Sequence, residues 1–221
     1  MLKSEKKEIL KILFLPLLFL LVMWFVKLIE LQFSLSFICF GVFPQTLDGL
    51  KGILFAPFIH KDITHLFNNS YPILILGGLL FSVYHKIALQ IFIWLFFISG
   101  FWLWVIGRPS FHIGASGIIY SLASFLFVSG FIRNNSNLAA VSLVVVFLYG
   151  SMIWGVIPSN GPNSWEGHLS GLGAGILIAL FYKNQGPERK KYQWEIEEEE
   201  EEEKKTKENI VKIKYIIKEK K

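Results

Sequence analysis

Residues 111–133 read FHIGASGIIYSLASFLFVSGFIR, and the stretch 114–132 within them is free of charge. It is close to the roughly 20 apolar residues that cross a bilayer as a helix. It opens on Gly114, Ala115, Ser116 and Gly117, so a hydroxyl sits among small residues at the head of the span. Two readings are open: tight helix packing with an incidental serine, or an exposed nucleophile. The choice depends on what the neighbouring segments bring to the same depth.

Comparable apolar runs flank this one at about 9–29, 65–84, 87–107, 138–157 and 168–183, giving six candidate spans. The chain has 221 residues, of which 53% are hydrophobic and 16% aromatic, and its mean hydropathy is positive. A soluble domain of this size has too little interior for that apolar surface, so lipid is the expected solvent. The expected fold class is an all-α membrane protein. In the first span only Ile12–Val26 is uncharged, which predicts that Lys11 and Lys27 snorkel to the interfaces. The sixth span is short and starts on His168, which predicts an upper end set in protein or water.

Positive residues orient the spans. Lys3, Lys6, Lys7 and Lys11 precede the first, Lys86 separates the second and third, Arg133 follows the fourth, and Lys183, Arg189, Lys190 and Lys191 follow the sixth. The other side carries Lys51, Lys61 and Arg108. By the positive-inside rule both termini are cytoplasmic, and the loops 30–64, 108–113 and 158–167 face outward. The first outer loop is mostly apolar, so part of it is expected to dip into the interfacial layer. Trp102, Trp104, Trp154 and Trp165 fall near outer helix ends, as in an aromatic belt. The N-terminal run lacks a small-x-small cleavage site and reads as a retained first helix.

The net charge of +5 lies mostly in the tails, which argues against a nucleic-acid surface. Cys39 is the single cysteine, so no internal disulfide forms. No zinc-finger spacing or HExxH occurs, and no metal or cofactor is expected. Beyond Gly186-Pro187 the composition turns to a glutamate block (195–203) and a lysine-rich alternating end, ENIVKIKYIIKEKK. Residues 1–186 thus read as the membrane domain and 187–221 as a solvated cytoplasmic tail, disordered or partly helical, whose basic end has the charge to lie on anionic headgroups.

Polar residues inside spans are costly and usually functional. Three clusters occur, each at the outward end of an even-numbered span. His65 and Asn69 are four residues apart on one helical face, Ser116 and Tyr120 share a face by the same spacing, and His168 heads the sixth span. Gly117, Ser121 and Ser124 make a small stripe on the fourth span, and Gly171, Gly175 and Ala179 make one on the sixth. Such stripes let helix backbones approach closely, which would carry Ser116 toward His168.

The segments HLFNN (65–69), GASG (114–117) and GHLSGLGAG (167–175) resemble the signatures of the rhomboid family of intramembrane serine proteases. The family pattern is H-x-x-x-N on the second core helix, G-x-S-G on the fourth and G-H-x-x-G-x-x-x-G on the sixth. All three occur here in order, on the matching spans, and the resemblance covers residues 8–183. It implies a six-transmembrane-helix rhomboid-like bundle. It also implies that Ser116 is the nucleophile and His168 the general base, because serine is inert at neutral pH until a base takes its proton. The Ser116 N–H with His65 and Asn69 would stabilise the oxyanion, and Tyr120 would support the imidazole. Gly114 and Gly117 would admit substrate backbone, while Gly171 and Gly175 pack the helices. No aspartate is placed for a triad, since Asp48 and Asp62 lie in the first outer loop; the family likewise uses a dyad. The Trp-Arg pair of many bacterial members is absent from that loop.

By this resemblance the chain is expected to hydrolyse peptide bonds in or near transmembrane segments of other membrane proteins, without cofactor, metal or nucleic acid. Its partners would be those substrates and the lipid bilayer, and its site would open to the outer side of the cell membrane. The loop 158–167, rich in turn formers, reads as a mobile cap. His60, His85 and His112 are expected to be solvated loop residues. Two rivals stand beside this reading: a non-catalytic adaptor that binds transmembrane helices, and a small transporter or proton pathway using His65, His168 and Asn69.

Overall fold

A computed structural model describes residues 3–133, 135–159, 161, 164–187 and 193–219. Its helices are α1 (Lys3–Phe33), a short α2 (Gly52–Phe55), α3 (Ile63–Val83), α4 (Ala88–Ile106), α5 (Ser116–Ile132), α6 (Ser136–Tyr149), α7 (Trp165–Phe181) and α8 (Gln193–Glu219). Local chemistry sets several starts. Asp62 caps α3 by accepting from the His65 amide, Asn135 caps α6, and Ser164 caps α7 by accepting from the Gly167 amide. A 3-10 segment, Gly150–Val156, continues α6.

Among the described residues, four segments are long and apolar enough to cross a membrane: Glu5–Phe33, Ile63–Val83, Ala88–Ile106 and Ser136–Val156. The shorter apolar helices α5 and α7 complete the bundle. Their shortness has a physical reason in the case of α5, which packs against α3, α4, α6 and α7. A helix apolar on all sides is stable when helices surround it, and Leu122, Phe125 and Leu126 of α5 are almost fully enclosed. They form one core with Leu66, Ile73, Leu76 and Leu80 of α3 and Ile91 and Leu95 of α4. The outer helices instead expose large apolar groups, including Phe14, Phe25, Trp94, Phe97 and Phe147. A surface of that kind suits hydrocarbon rather than water.

The long loop between α1 and α3 is folded. Two 3-10 turns, α2 and a third turn (Ala56–Phe58) follow one another, and Val42, Ala56 and Ile59 are buried. An isolated antiparallel bridge joins Val42 to His112, tying this loop to the segment that precedes α5.

Lys27 departs from expectation. It does not snorkel; only 7% of it is exposed. Its ammonium donates to the Glu30 carboxylate at 3.1 Å and to the carbonyls of His60 at 2.8 Å and Lys61 at 3.1 Å. The other Glu30 oxygen accepts from the Phe37 amide at 2.8 Å. Three acceptors saturate an ammonium, so burial inside protein replaces the reach for water. Lys11 is exposed and pairs with Glu8, as a surface lysine should.

Contacts divide the chain into Met1–Pro187 and Glu188–Lys221. In the second unit the glutamate block is helical, with exposed i,i+4 pairs Lys205–Glu201 and Lys207–Glu203. The side chains of the basic end, 208–221, on which the headgroup expectation rests, lie outside the described residues.

Candidate active site

The segment leading into α5 is pinned from both sides. The backbones of Val42 and His112 exchange two hydrogen bonds, and the Gly114 amide donates to the Ala56 carbonyl at 2.8 Å. Gly114 then turns the chain at φ +104°, and a Cβ there would stand 2.7 Å from His65 Cε1. Only glycine meets both conditions. Ser116 is the first residue of α5, where backbone N–H groups lack intrahelical partners and the helix dipole is positive.

His168 reaches Ser116 because α5 and α7 touch backbone to backbone. A Cβ on Gly171 would lie 2.0 Å from the Gly117 carbonyl, and one on Gly175 would lie 1.9 Å from Ser124 Oγ. The Ser124 hydroxyl donates across the contact to the Leu172 carbonyl at 3.0 Å. The two small stripes read from the sequence are therefore the contact surface itself.

Across that contact His168 Nε2 stands 3.1 Å from Ser116 Oγ, and His168 Nδ1 stands 2.8 Å from the Gly155 carbonyl. A carbonyl only accepts, so Nδ1 carries the proton of the neutral ring. Nε2 then presents its lone pair to the serine hydroxyl, the tautomer a general base requires. Tyr120 stacks on the imidazole with ring centroids 4.2 Å apart and planes 10° apart, and its hydroxyl donates to the Met152 carbonyl at 2.6 Å. Gly155 is also confined: a Cβ there would lie 2.0 Å from the Tyr120 hydroxyl oxygen.

His65 and Asn69 line the Gly114 side, with Asn69 4% exposed. The Asn69 amide donates one N–H to the His65 carbonyl at 2.9 Å. Behind them His60 meets His65 edge to face, centroids 5.0 Å apart. A small cavity of ≈ 40 Å³, bordered by Ser99, His112, Ser116 and Ser164 among others, is large enough for a water molecule.

Thus Ser116, His168, Tyr120, His65, Asn69, Gly114, Gly117, Gly171 and Gly175 fall in one region. Two other histidines correct the sequence reading. His60 is 1% exposed and His112 4% exposed, so neither is solvated; His60 lies within the folded loop between α1 and α3, and His112 is bridged to Val42 of that loop. Burial pushes the His60 imidazole down to about 3 and holds His112 below its ordinary value. His112 Nδ1 lies 2.7 Å from Ser164 Oγ and Nε2 lies 3.0 Å from the Arg108 carbonyl, so it serves the cap of α7 rather than Ser116. His85 is exposed, as expected. The expected cap, 158–167, falls partly on residues 160, 162 and 163, outside the described residues. The carbonyls of Gly155 and Met152 were not foreseen, since a backbone acceptor leaves no mark in residue type. Among the described residues, no group of three His, Cys, Asp or Glu is placed to hold a metal ion.

Comparison with known proteins adds a family model described as a Rhomboid domain, which matches residues 48–185. Uncharacterized proteins of Mycobacterium bovis and Mycobacterium tuberculosis are each 38% identical over 164 residues, which is 68% of this chain and 65% of the relative. One from Mycobacterium leprae is 35% identical over 184 residues, 78% of this chain and 71% of the relative. The match to the first two therefore spans about 65% of their own length.

Proposed function

The chain belongs to the rhomboid family of multi-pass membrane proteins, and on that premise we propose that it is an intramembrane serine endopeptidase acting through a Ser116/His168 dyad. Its substrates would be membrane proteins cut in or near their transmembrane segments. The observation that carries this reading is the 3.1 Å approach of His168 Nε2 to Ser116 Oγ in the tautomer fixed by Gly155.

The chemistry follows from these atoms. Ser116 Oγ attacks the scissile carbonyl carbon as His168 Nε2 takes its proton. The oxyanion forms at the α5 N-terminus, where the Ser116 N–H, the free N–H of Asn69 and the His65 ring are the donors. The positive charge on the imidazole is held by the Gly155 carbonyl and the Tyr120 face. Collapse breaks the C–N bond as Nε2–H protonates the leaving amine. Water then attacks the acyl-enzyme, Nε2 again takes a proton, and acid and free Ser116 are released.

In this reading α1, α3, α4, α5, α6 with its 3-10 continuation, and α7 are six membrane spans, both termini are cytoplasmic, and the site opens to the outer side of the cell membrane. Substrate would reach the dyad beside the fifth span. Helix-breaking residues in a substrate should favour cleavage, because an intact helix shields its peptide bonds. The rival of a non-catalytic adaptor needs neither the tautomer nor the stacking on His168. Labelling of the purified protein with a fluorophosphonate separates the two. Wild type should label and Ser116→Ala should not; equal labelling of both, or none of either, would defeat the protease reading.

A further inference from the structure

Two residues before His168, Glu166 is a carboxylate only 2% exposed in the first turn of α7. One of its oxygens has no hydrogen-bond partner among the described residues. The other lies 3.4 Å from Nε of Arg108, a side chain about one third exposed. A buried carboxylate without a cation is strongly unfavourable, so the position of this turn depends on where Arg108 stands.

Arg108 has further bonds. One guanidinium nitrogen donates to the Ser159 carbonyl and another to the Gly161 carbonyl, each at 3.3 Å. The same stretch of chain begins near Gly155, whose carbonyl fixes the His168 ring. The Arg108 carbonyl also accepts from His112, which contacts the α7 cap Ser164. Ser164 in turn supplies the carbonyl that receives the His168 amide at 3.2 Å.

We propose that Arg108 is a positioning residue for His168, acting on the helical turn through Glu166 and on the ring through the segment that contains Gly155. The inference rests on the dyad proposed above and gives Arg108 a role exerted through Glu166 and the Ser159 and Gly161 carbonyls. A planar fork with several donors is needed to reach Glu166 and two carbonyls together, and lysine lacks that geometry. Histidine alignment within about 1 Å is worth on the order of 100-fold in rate, so loss of the fork should appear in the chemical step.

The test uses full-length protein in detergent and fluorophosphonate-rhodamine as the probe, with the inactivation rate constant kinact separated from the binding constant KI. Arg108→Ala is expected to lower kinact by about 10- to 100-fold with KI within about twofold. Arg108→Lys, which keeps the charge beside Glu166, should fall between that variant and wild type. It also serves if Arg108→Ala does not fold. A kinact within twofold of wild type in the folded variants would overturn the proposal, as would a change confined to KI. Those outcomes leave the dyad standing, since wild type still labels. A wild type that labels no better than Ser116→Ala removes the dyad and this inference with it.

Discussion

Ser116 Oγ and His168 Nε2 stand 3.1 Å apart across a helix contact made of glycine and serine, and the other ring nitrogen is held by the Gly155 carbonyl. If this pair is the catalytic unit, its members should fail together. Ser116→Ala and His168→Ala should each lower cleavage by about 10³-fold or more, and the double variant should be no worse than either single one. Co-expression with a panel of single-span membrane proteins, scored for Ser116-dependent fragments, is the measurement. Cleavage that survives either substitution would sink the assignment.

Asn69 has two amide N–H groups, and the His65 carbonyl engages one of them. The second is available to a developing oxyanion. Asn69→Ala should therefore cost about 10²–10³ in kcat, the range for one oxyanion donor, while KM changes little. A rise in KM at unchanged kcat would place Asn69 in ground-state binding instead.

The groups of this site were legible in sequence because each belongs to a side chain with a spacing. His65 and Asn69 share a helical face, Ser116 heads α5, and small residues at Gly117, Gly171 and Gly175 announce a close contact. What escaped notice depends on distant parts of the chain. The burial of His60 and His112 follows from the Val42–His112 bridge, a pairing between residues 70 positions apart that local periodicity does not encode. Lys27 departs from the snorkelling expectation because that expectation assumes lipid around the stem. Glu30 one turn later was visible, but the His60 and Lys61 carbonyls beside it were not.

The α5–α7 contact predicts a steric test. A Cβ on Gly171 would press on the Gly117 carbonyl, a backbone atom that yields only if the helices part. Gly171→Ala should destabilise by about 1–3 kcal/mol, the usual cost of overpacking, and should reduce activity further by drawing His168 away from Ser116. Gly150→Ala is the control, since its Cβ would meet only Val146 Cγ1 at 3.6 Å, an ordinary contact. Thermal midpoints in detergent and fluorophosphonate labelling well below the midpoint separate the two effects. Equal behaviour of the two variants would contradict the close contact.

His60 predicts acid sensitivity. Its imidazole is held at about 3 by burial, whereas in the unfolded chain it titrates near its ordinary value of about 6.5. Unfolding therefore takes up a proton anywhere between these two values, and acid favours the unfolded chain. The His60 contribution is fully present above about pH 6.5 and erodes as the pH falls, by up to about 1.4 kcal/mol per pH unit. Buried His112 acts in the same direction. Asp62 is held below its ordinary value by the His65 amide, so its stabilising share is lost only as the pH drops through its lowered folded value, below about 4. Between pH 7 and 5 the histidines thus act without it. Thermal midpoints of wild type should fall across that window, and His60→Gln should show a shallower fall. An identical pH slope in the two proteins would mean that His60 does not remain neutral in the folded state.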